Sequence, residues 1–276
     1  MQARALTPSK LEGPYVGQKP PGSNPKEFAP LGRSTEHRDH SGFFPPDMKT
    51  FYFTRKSHKD GKWSLFVFRS INNRWEAFVV GPRIGRPILT PDGKIMHLGK
   101  RYMELTDSGW SEVKSLGPLF EEFRIMQLMS SSKGTYYFDT ASETDPIRYT
   151  RMIDGKRETP KVVDIDFGKW NAHPYIAPDE SYLIWDEQDD NSYGGADLFI
   201  SFRQEDDSWG PAINLGEKIN TSASENGAIV TPDGKYLFFN RYVDEKSAGM
   251  YWVDAGFIET LRSQSLANVK KDVAAH

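Results

Sequence analysis

The chain has no cysteine, which removes disulfide frameworks, zinc–thiolate sites and cysteine nucleophiles at once. It also lacks a surplus of either charge: 35 Lys and Arg against 38 Asp and Glu leave a formal net charge of −3. A protein that holds nucleic acid through a broad basic surface needs more positive charge than that, so no nucleic-acid partner is expected. No apolar run approaches the ~18 residues of a membrane span, and Met1 to Gly13 has no apolar signal-peptide core. Two locations stay open: a periplasmic or secreted protein whose leader is absent from this chain, or a cytoplasmic one. What the chain does hold in quantity is aromatic residues, with 7 Trp, 12 Tyr and 17 Phe among 276 residues. Disordered chains are poor in them, so a sizeable core is expected.

A repeat organises those aromatics. Pro46-Asp47-Met48-Lys49, Pro91-Asp92-Gly93-Lys94, Pro178-Asp179-Glu180-Ser181 and Pro232-Asp233-Gly234-Lys235 each precede an apolar run. The runs are Thr50–Phe53, Ile95–Leu98, Tyr182–Trp185 and Tyr236–Phe239, and a degenerate copy, Ser131–Gly134 then Thr135–Phe138, fills the gap. The interval is roughly 40 to 54 residues, the size of one four-stranded propeller blade. Pro presets the first corner of a turn and Asp-Gly reverses the chain tightly, so each motif joins two antiparallel strands. The innermost strands read as Gly42–Phe44, Pro87–Leu89, Gln127–Met129, Tyr175-Ile176 and Ala228–Val230.

A third strand follows in every unit: Leu65–Phe68, Arg101–Leu105, Ile147–Tyr149, Asp197–Ser201 and Met250–Val253. The fourth ends in an apolar residue plus Gly, at Val80-Gly81, Leu116-Gly117, Phe167-Gly168 and Leu215-Gly216. Trp75, Trp110 and Trp209 precede it in three units, placed to pack between blades. The fifth unit has no fourth strand, because Phe257–Leu261 reads as a short helix. Phe28–Gly32 carries the missing Leu-Gly ending and is expected to complete the last blade, closing the ring and removing a sheet edge. The expected fold is all-β, a five-bladed β-propeller of four-stranded antiparallel blades. Residues 26–254 form it, 1–25 are an N-terminal extension, and 255–276 are a short helix and tail.

Asp197–Arg203, Ser208–Gly216, Ile219–Thr221 and Pro232–Phe239 closely resemble the WD40-like PD40 repeat of TolB-type propellers. The resemblance is strong over residues 171–252; the third unit, residues 124–170, departs from it by lacking Pro-Asp and Trp. It implies a bacterial, usually exported propeller, and no single activity, because propellers host binding modules, hydrolases and lyases alike.

In a propeller the loops entering the innermost strand and those leaving the second share one face, around the channel mouth. The incoming side carries Glu36, His37, Arg38, Asp39, His40, Arg86, Arg124, Gln127, His173, Glu225 and Asn226. The outgoing side carries Arg55, Lys100, Asp139, Asp186, Glu187, Asn240 and Arg241. Asp186, Glu187, Glu225 and His173 are the catalytic candidates, as general acids, bases or sugar-hydroxyl contacts. Arg55, Arg86, Arg124 and Arg241 either clamp a carboxylate or phosphate or pair with Asp139, Asp186, Glu187 and Glu225 across the blades. His40, Gln127 and Asp139 complete the ligand-binding candidates. His40 and His173 fall near equivalent positions of their units and, with Gln127 and Glu225, could hold a divalent metal through nitrogen and oxygen. Asp189–Gly194 starts like a calcium loop, but Ile200 stands where an EF-hand needs Glu.

Two functions are therefore expected. One is a binding module that recognises a carbohydrate or protein ligand at the polar mouth. The other is a carbohydrate-active enzyme, a glycoside hydrolase or metal-dependent lyase on acidic oligosaccharides, working at the same face.

Overall fold

Each blade is organised by the turn that its sequence announces. In the computed structural model, which describes residues 11–32, 37–140, 142, 145–244 and 248–274, Asp47 Oδ1 accepts the Lys49 and Thr50 amides at 2.8 and 3.1 Å. Asp92, Asp179 and Asp233 accept the amide two residues on in the same way. The residue after each Asp, or its counterpart, takes a left-handed backbone in all five copies: Met48, Gly93, Gly134, Glu180 and Gly234. Glycine does this without strain. Glu180 does it with its carboxylate anchored by the Ser131 hydroxyl at 2.6 Å.

The blades are antiparallel sheets of four in-line strands. The first holds His37–Phe43, Thr50–Ser57, Trp63–Ile71 and Arg74–Pro82. The second holds Pro87–Leu89, Ile95–Leu98, Arg101–Thr106 and Lys114–Ser115, with Gly109–Trp110 also paired to its third strand. The third holds Leu128–Ser130, Tyr136–Phe138, Arg148–Thr150 and Lys161–Val162. The fourth holds Trp170–Ile176, Tyr182–Gln188, Asp197–Phe202 and Ile213–Asn214. The fifth holds Ser224–Val230, Tyr236–Tyr242 and Ala248–Asp254, completed by the N-terminal Lys26–Glu27. The ring closes as expected, two residues early: Lys26 and Glu27 face Trp252 and Tyr251, and the Phe28 amide reaches Met250 O at 2.8 Å. Pro30, with no N–H, cannot continue the ladder. Phe28 then wedges between the last and first blades, its ring 4.9 Å from those of both Phe51 and Phe238.

The third blade departs from the expected pattern. Its outer strand is Lys161–Val162, extended by the Val163 amide to Ile147 O at 3.0 Å. Phe167, the expected strand end, instead packs edge-on against Trp185 of the next blade at 5.2 Å. Two tryptophans bridge blades: Trp110 donates to the Tyr52 hydroxyl at 3.2 Å, and Trp209 stands edge-on to Tyr137. Trp75 donates to Gly13 O at 2.7 Å, and so packs under the N-terminal segment. The C-terminal helix spans Phe257–Ala274, well past the residues that its sequence suggests. Among the described residues no helix is long and apolar enough to cross a membrane.

Candidate functional site at the channel mouth

The first two strands of every blade meet in the same register. Phe43 faces Tyr52, Ile88 faces His97, Met129 faces Tyr137, Tyr175 faces Ile184 and Ile229 faces Phe238. Two residues upstream of this point lie Ser41, Arg86, Gln127, His173 and Gly227. Two residues downstream on the partner strand lie Thr54, Gly99, Asp139, Asp186 and Asn240. These ten positions form the polar waist of the channel.

Much of the waist is stitching between blades. Asp139 accepts the His173 amide at 2.9 Å, and Asp186 accepts the Gly227 amide at 2.8 Å. Asn240 accepts the Ser41 amide at 2.9 Å. At three junctions, then, the outgoing side chain of one blade takes the backbone N–H of the next. Each donor residue has a positive φ (55° at Ser41, 48° at His173, 63° at Gly227) beside a register break in its strand. That twist turns the amide out of the blade's own ladder and toward its neighbour. Asp139 also accepts the Met126 and Gln127 amides at 2.8 and 3.1 Å, while burial pushes its carboxyl up. Asp186 holds His173 Nδ1 at 3.0 Å.

The same registers settle how the two histidines relate. His40 matches Ala172 and Asn226, whereas His173 matches Ser41, so the two lie one position apart.

Strand alternation explains the candidates that face elsewhere. Arg55, Glu187 and Arg241 lie one residue beyond Thr54, Asp186 and Asn240, and so point away from the axis. Arg55 pairs with Asp39 and Arg241 with Glu225, each at 2.6 Å and in the same cross-strand register. Glu225 also accepts the Thr221 hydroxyl at 2.7 Å. Glu187 accepts the Trp185 indole N–H at 2.6 Å and the Gly168 amide at 3.1 Å, and burial raises its carboxyl. Arg124 is exposed, Lys100 pairs with Glu121 at the surface, and Glu36 lies outside the described residues.

Arg86 behaves differently. Only 4% exposed, it reaches from the second blade to Gly227 O of the fifth at 3.3 Å. A Cβ on Gly227 would stand 1.7 Å from its Nη2, so this position needs glycine for space as well as for its φ. Burial lowers the Arg86 guanidinium to about 10, against the pull of Asp186. Its Nε and the Gln127 Oε1 are buried with no hydrogen-bond partner, and Gln127 Nε2 is spent on Pro174 O at 2.8 Å.

Above Arg86 the mouth is cationic. His40 is held well below the ordinary histidine range, first by burial and then by the charges of Arg86, Arg83, Arg38 and His173. Its Nδ1 meets the Ser41 hydroxyl at 2.6 Å. Arg83 lies 4.9 Å from the centre of the Trp63 ring, and Arg38 lies 5.7 Å from Trp63 and 5.3 Å from Tyr242. Among the described residues, none of Arg38, Arg83 and Arg86 ion-pairs with a carboxylate, whereas Arg55 and Arg241 both do. Sequence reasoning nominated Arg38 and Arg86 but missed Arg83 and Trp63. Arg83 follows the outermost strand and Trp63 opens the third, so neither belongs to the loops next to the first two strands. No three His, Asp or Glu side chains of the described residues converge as metal ligands would. On the far side of the waist the channel widens into an apolar well of about 480 Å³, ringed by Phe43, Ile88, Met129, Tyr175 and Ile229.

Five blades around a channel with one polar and one apolar end define the protein as a β-propeller. No protein-family model matches the chain, and no curated protein matches it. Among solved structures it is similar to the catalytic domain of a Coprinopsis cinerea GH62 α-L-arabinofuranosidase. The TM-score is 0.50 at 9% identity, covering 84% of this chain and 94% of that one. It is also similar to TolB from Acinetobacter baumannii, with a TM-score of 0.45 at 14% identity over 79% of this chain. The chain spans only 57% of that TolB. An oligogalacturonate lyase solved with manganese is similar over 92% of this chain and 96% of its own, with a TM-score of 0.43 at 11% identity. These likenesses concern the fold.

Proposed function

We propose that the protein is a ligand-binding propeller whose polar mouth recognises an acidic carbohydrate. One observation carries this reading. Arg38, Arg83 and Arg86 converge around a neutral histidine with no described carboxylate in ion-pair reach. The carboxylates nearest the waist, by contrast, are spent on backbone amides and on His173. Guanidinium groups left without a described carboxylate in this way suit one supplied by a ligand, and the Trp63 and Tyr242 faces beside them suit a sugar ring. An exported location belongs with this reading, supported by the resemblance to PD40-type repeats.

Calorimetric titration tests it, with trigalacturonate as the acidic probe and cellotriose as the neutral one. The acidic trimer is expected to bind at least about tenfold more tightly, with affinity that falls as salt rises. Arg83→Ala is expected to remove most of that preference. Equal affinity for the two trimers, or binding of neither, contradicts the proposal.

One geometric feature favours a second reading, a lyase on the same acidic sugar. Asp186 holds His173 by Nδ1, and Nε2 has no described hydrogen-bond partner. An imidazole oriented in this way, with Nε2 left over, is suited to act as a base. It would take the proton next to the sugar carboxylate while the glycosidic C–O bond breaks, leaving a carbon–carbon double bond, with the departing oxygen protonated by water. An ultraviolet assay for unsaturated product reads this directly. Turnover lost in His173→Ala with trimer binding retained would establish the lyase, and no turnover in the parent protein would leave the binding module.

A further inference from the structure

The molecule holds a second recess, and comparison of two blade junctions shows why it is open. The tryptophan bridge is the same at both. Trp110 of the second blade reaches Tyr52 of the first, and Trp209 of the fourth packs on Tyr137 of the third. Opposite Trp209 stands Arg203, 3.9 Å from the centre of its ring, donating to the Tyr137 hydroxyl at 2.9 Å and facing Glu180 at 3.6 Å. The register places Leu105 opposite Trp110 at the equivalent position, one residue past Glu104 as Arg203 is one past Phe202. Where one junction has a cationic lid, the other has a leucine that is 51% exposed.

That leucine borders a groove of about 620 Å³ between the first and second blades. Its walls include Tyr52, Leu65, Val80, Met103 and Trp110, and Ile84 and Val113 join Leu105 as exposed apolar side chains at 47% and 37%. Three of the large hydrophobic side chains that the described surface exposes thus gather on one recess. Arg69 and Arg83 also line it, and neither ion-pairs with a described carboxylate; Glu112 at the rim is its acidic residue. Arg69 lies 5.8 Å from the Phe78 ring centre.

We infer that this groove is a binding site for a small amphiphile: an apolar body with one carboxylate or sulfonate, the body against Leu105, Val113 and Trp110 and the anion toward Arg69. The volume falls in the range of about 300–1,000 Å³ typical of small-molecule sites. A stable protein partner would cover about 800 Å² on this side, more than three recessed side chains offer. Arg69 supplies the complementary charge. Carried by Arg69, Leu105 and Val113, the inference does not depend on what the mouth binds, although Arg83 borders both.

The test is a fluorescence titration of the whole chain with 8-anilinonaphthalene-1-sulfonate, which has this chemistry. The protein is expected to bind the dye saturably. Leu105→Arg rebuilds the lid of the fourth blade and is expected to lower the number of bound molecules by one per chain. Val113→Asp should do the same, and Arg69→Glu should weaken binding about tenfold. Leu105 and Val113 are exposed enough for both variants to keep the parent's thermal unfolding, which is measured alongside. No dye binding by the parent, or unchanged stoichiometry and affinity in both Leu105→Arg and Val113→Asp, overturns the inference.

Discussion

The two ends of the channel are built from the same ten strands, yet they handle polarity in opposite ways. At the Pro-Asp end, the five register positions are all large and apolar and leave a well. At the other end, two residues along, the same strands carry the waist, where polar side chains tie one blade to the next. The difference teaches that a dense charge cluster around a propeller channel is not by itself a ligand site. Asp139, Asp186 and Asn240 spend their acceptors on the next blade's backbone. The groups proposed for a ligand are those without a described carboxylate partner: Arg38, Arg83 and Arg86.

The largest effect that would break this comparison comes from the stitching. Asp139→Ala removes the acceptor of three N–H groups, the Gln127 one buried and the Met126 and His173 ones partly so, and is expected to cost about 3 kcal/mol in denaturant unfolding. Thr54→Ala, at the equivalent position, loses only its bond to His40 O and should cost about 1 kcal/mol. Equal, small losses would mean that the waist is not structural. Next comes Gly227→Ala, which meets both a positive φ and the Arg86 guanidinium. It should cost about 1–3 kcal/mol and also weaken trigalacturonate binding, because Arg86 must move. Arg38→Ala should do the reverse: unfolding within about 1 kcal/mol of the parent, with a tenfold or so loss of affinity for the acidic trimer.

The smallest effect is a pH dependence. His40 is depressed in the folded protein, so the unfolded chain binds the proton first as pH falls below the ordinary histidine value of about 6.5. Its contribution to stability is therefore complete above that value and declines below it. An anion bound among the arginines raises the His40 pKa. Trimer binding should thus take up protons and tighten as pH falls toward the depressed His40 pKa, and His40→Gln should flatten that slope.

The repeat was readable because Pro-Asp turns impose their chemistry locally, and that carried blade number and ring closure. Two strand boundaries slipped for reasons of detail. Pro30 ends the closing strand at Phe28, and Phe167 is recruited by Trp185 across a junction rather than into its own ladder. The site was legible only in part. Strand parity separates Asp186 from Glu187 and Asn240 from Arg241, and sequence alone shows that parity only once the register is known. The register breaks beside Ser41, His173 and Gly227 shift it by a residue in the same way in all three blades. Arg83 was invisible because it reaches the mouth from the outermost strand of its blade, through space rather than along the repeat.

The most direct measurement is a crystal structure with trigalacturonate bound. The account predicts a sugar carboxylate within hydrogen-bond distance of the Arg83 and Arg38 guanidinium groups, a ring against Trp63, and Asp139 and Asp186 still holding the His173 and Gly227 amides. A trimer seated in the apolar well, or held at the mouth with Asp139 or Asp186 released from those amides to grip it, would contradict it.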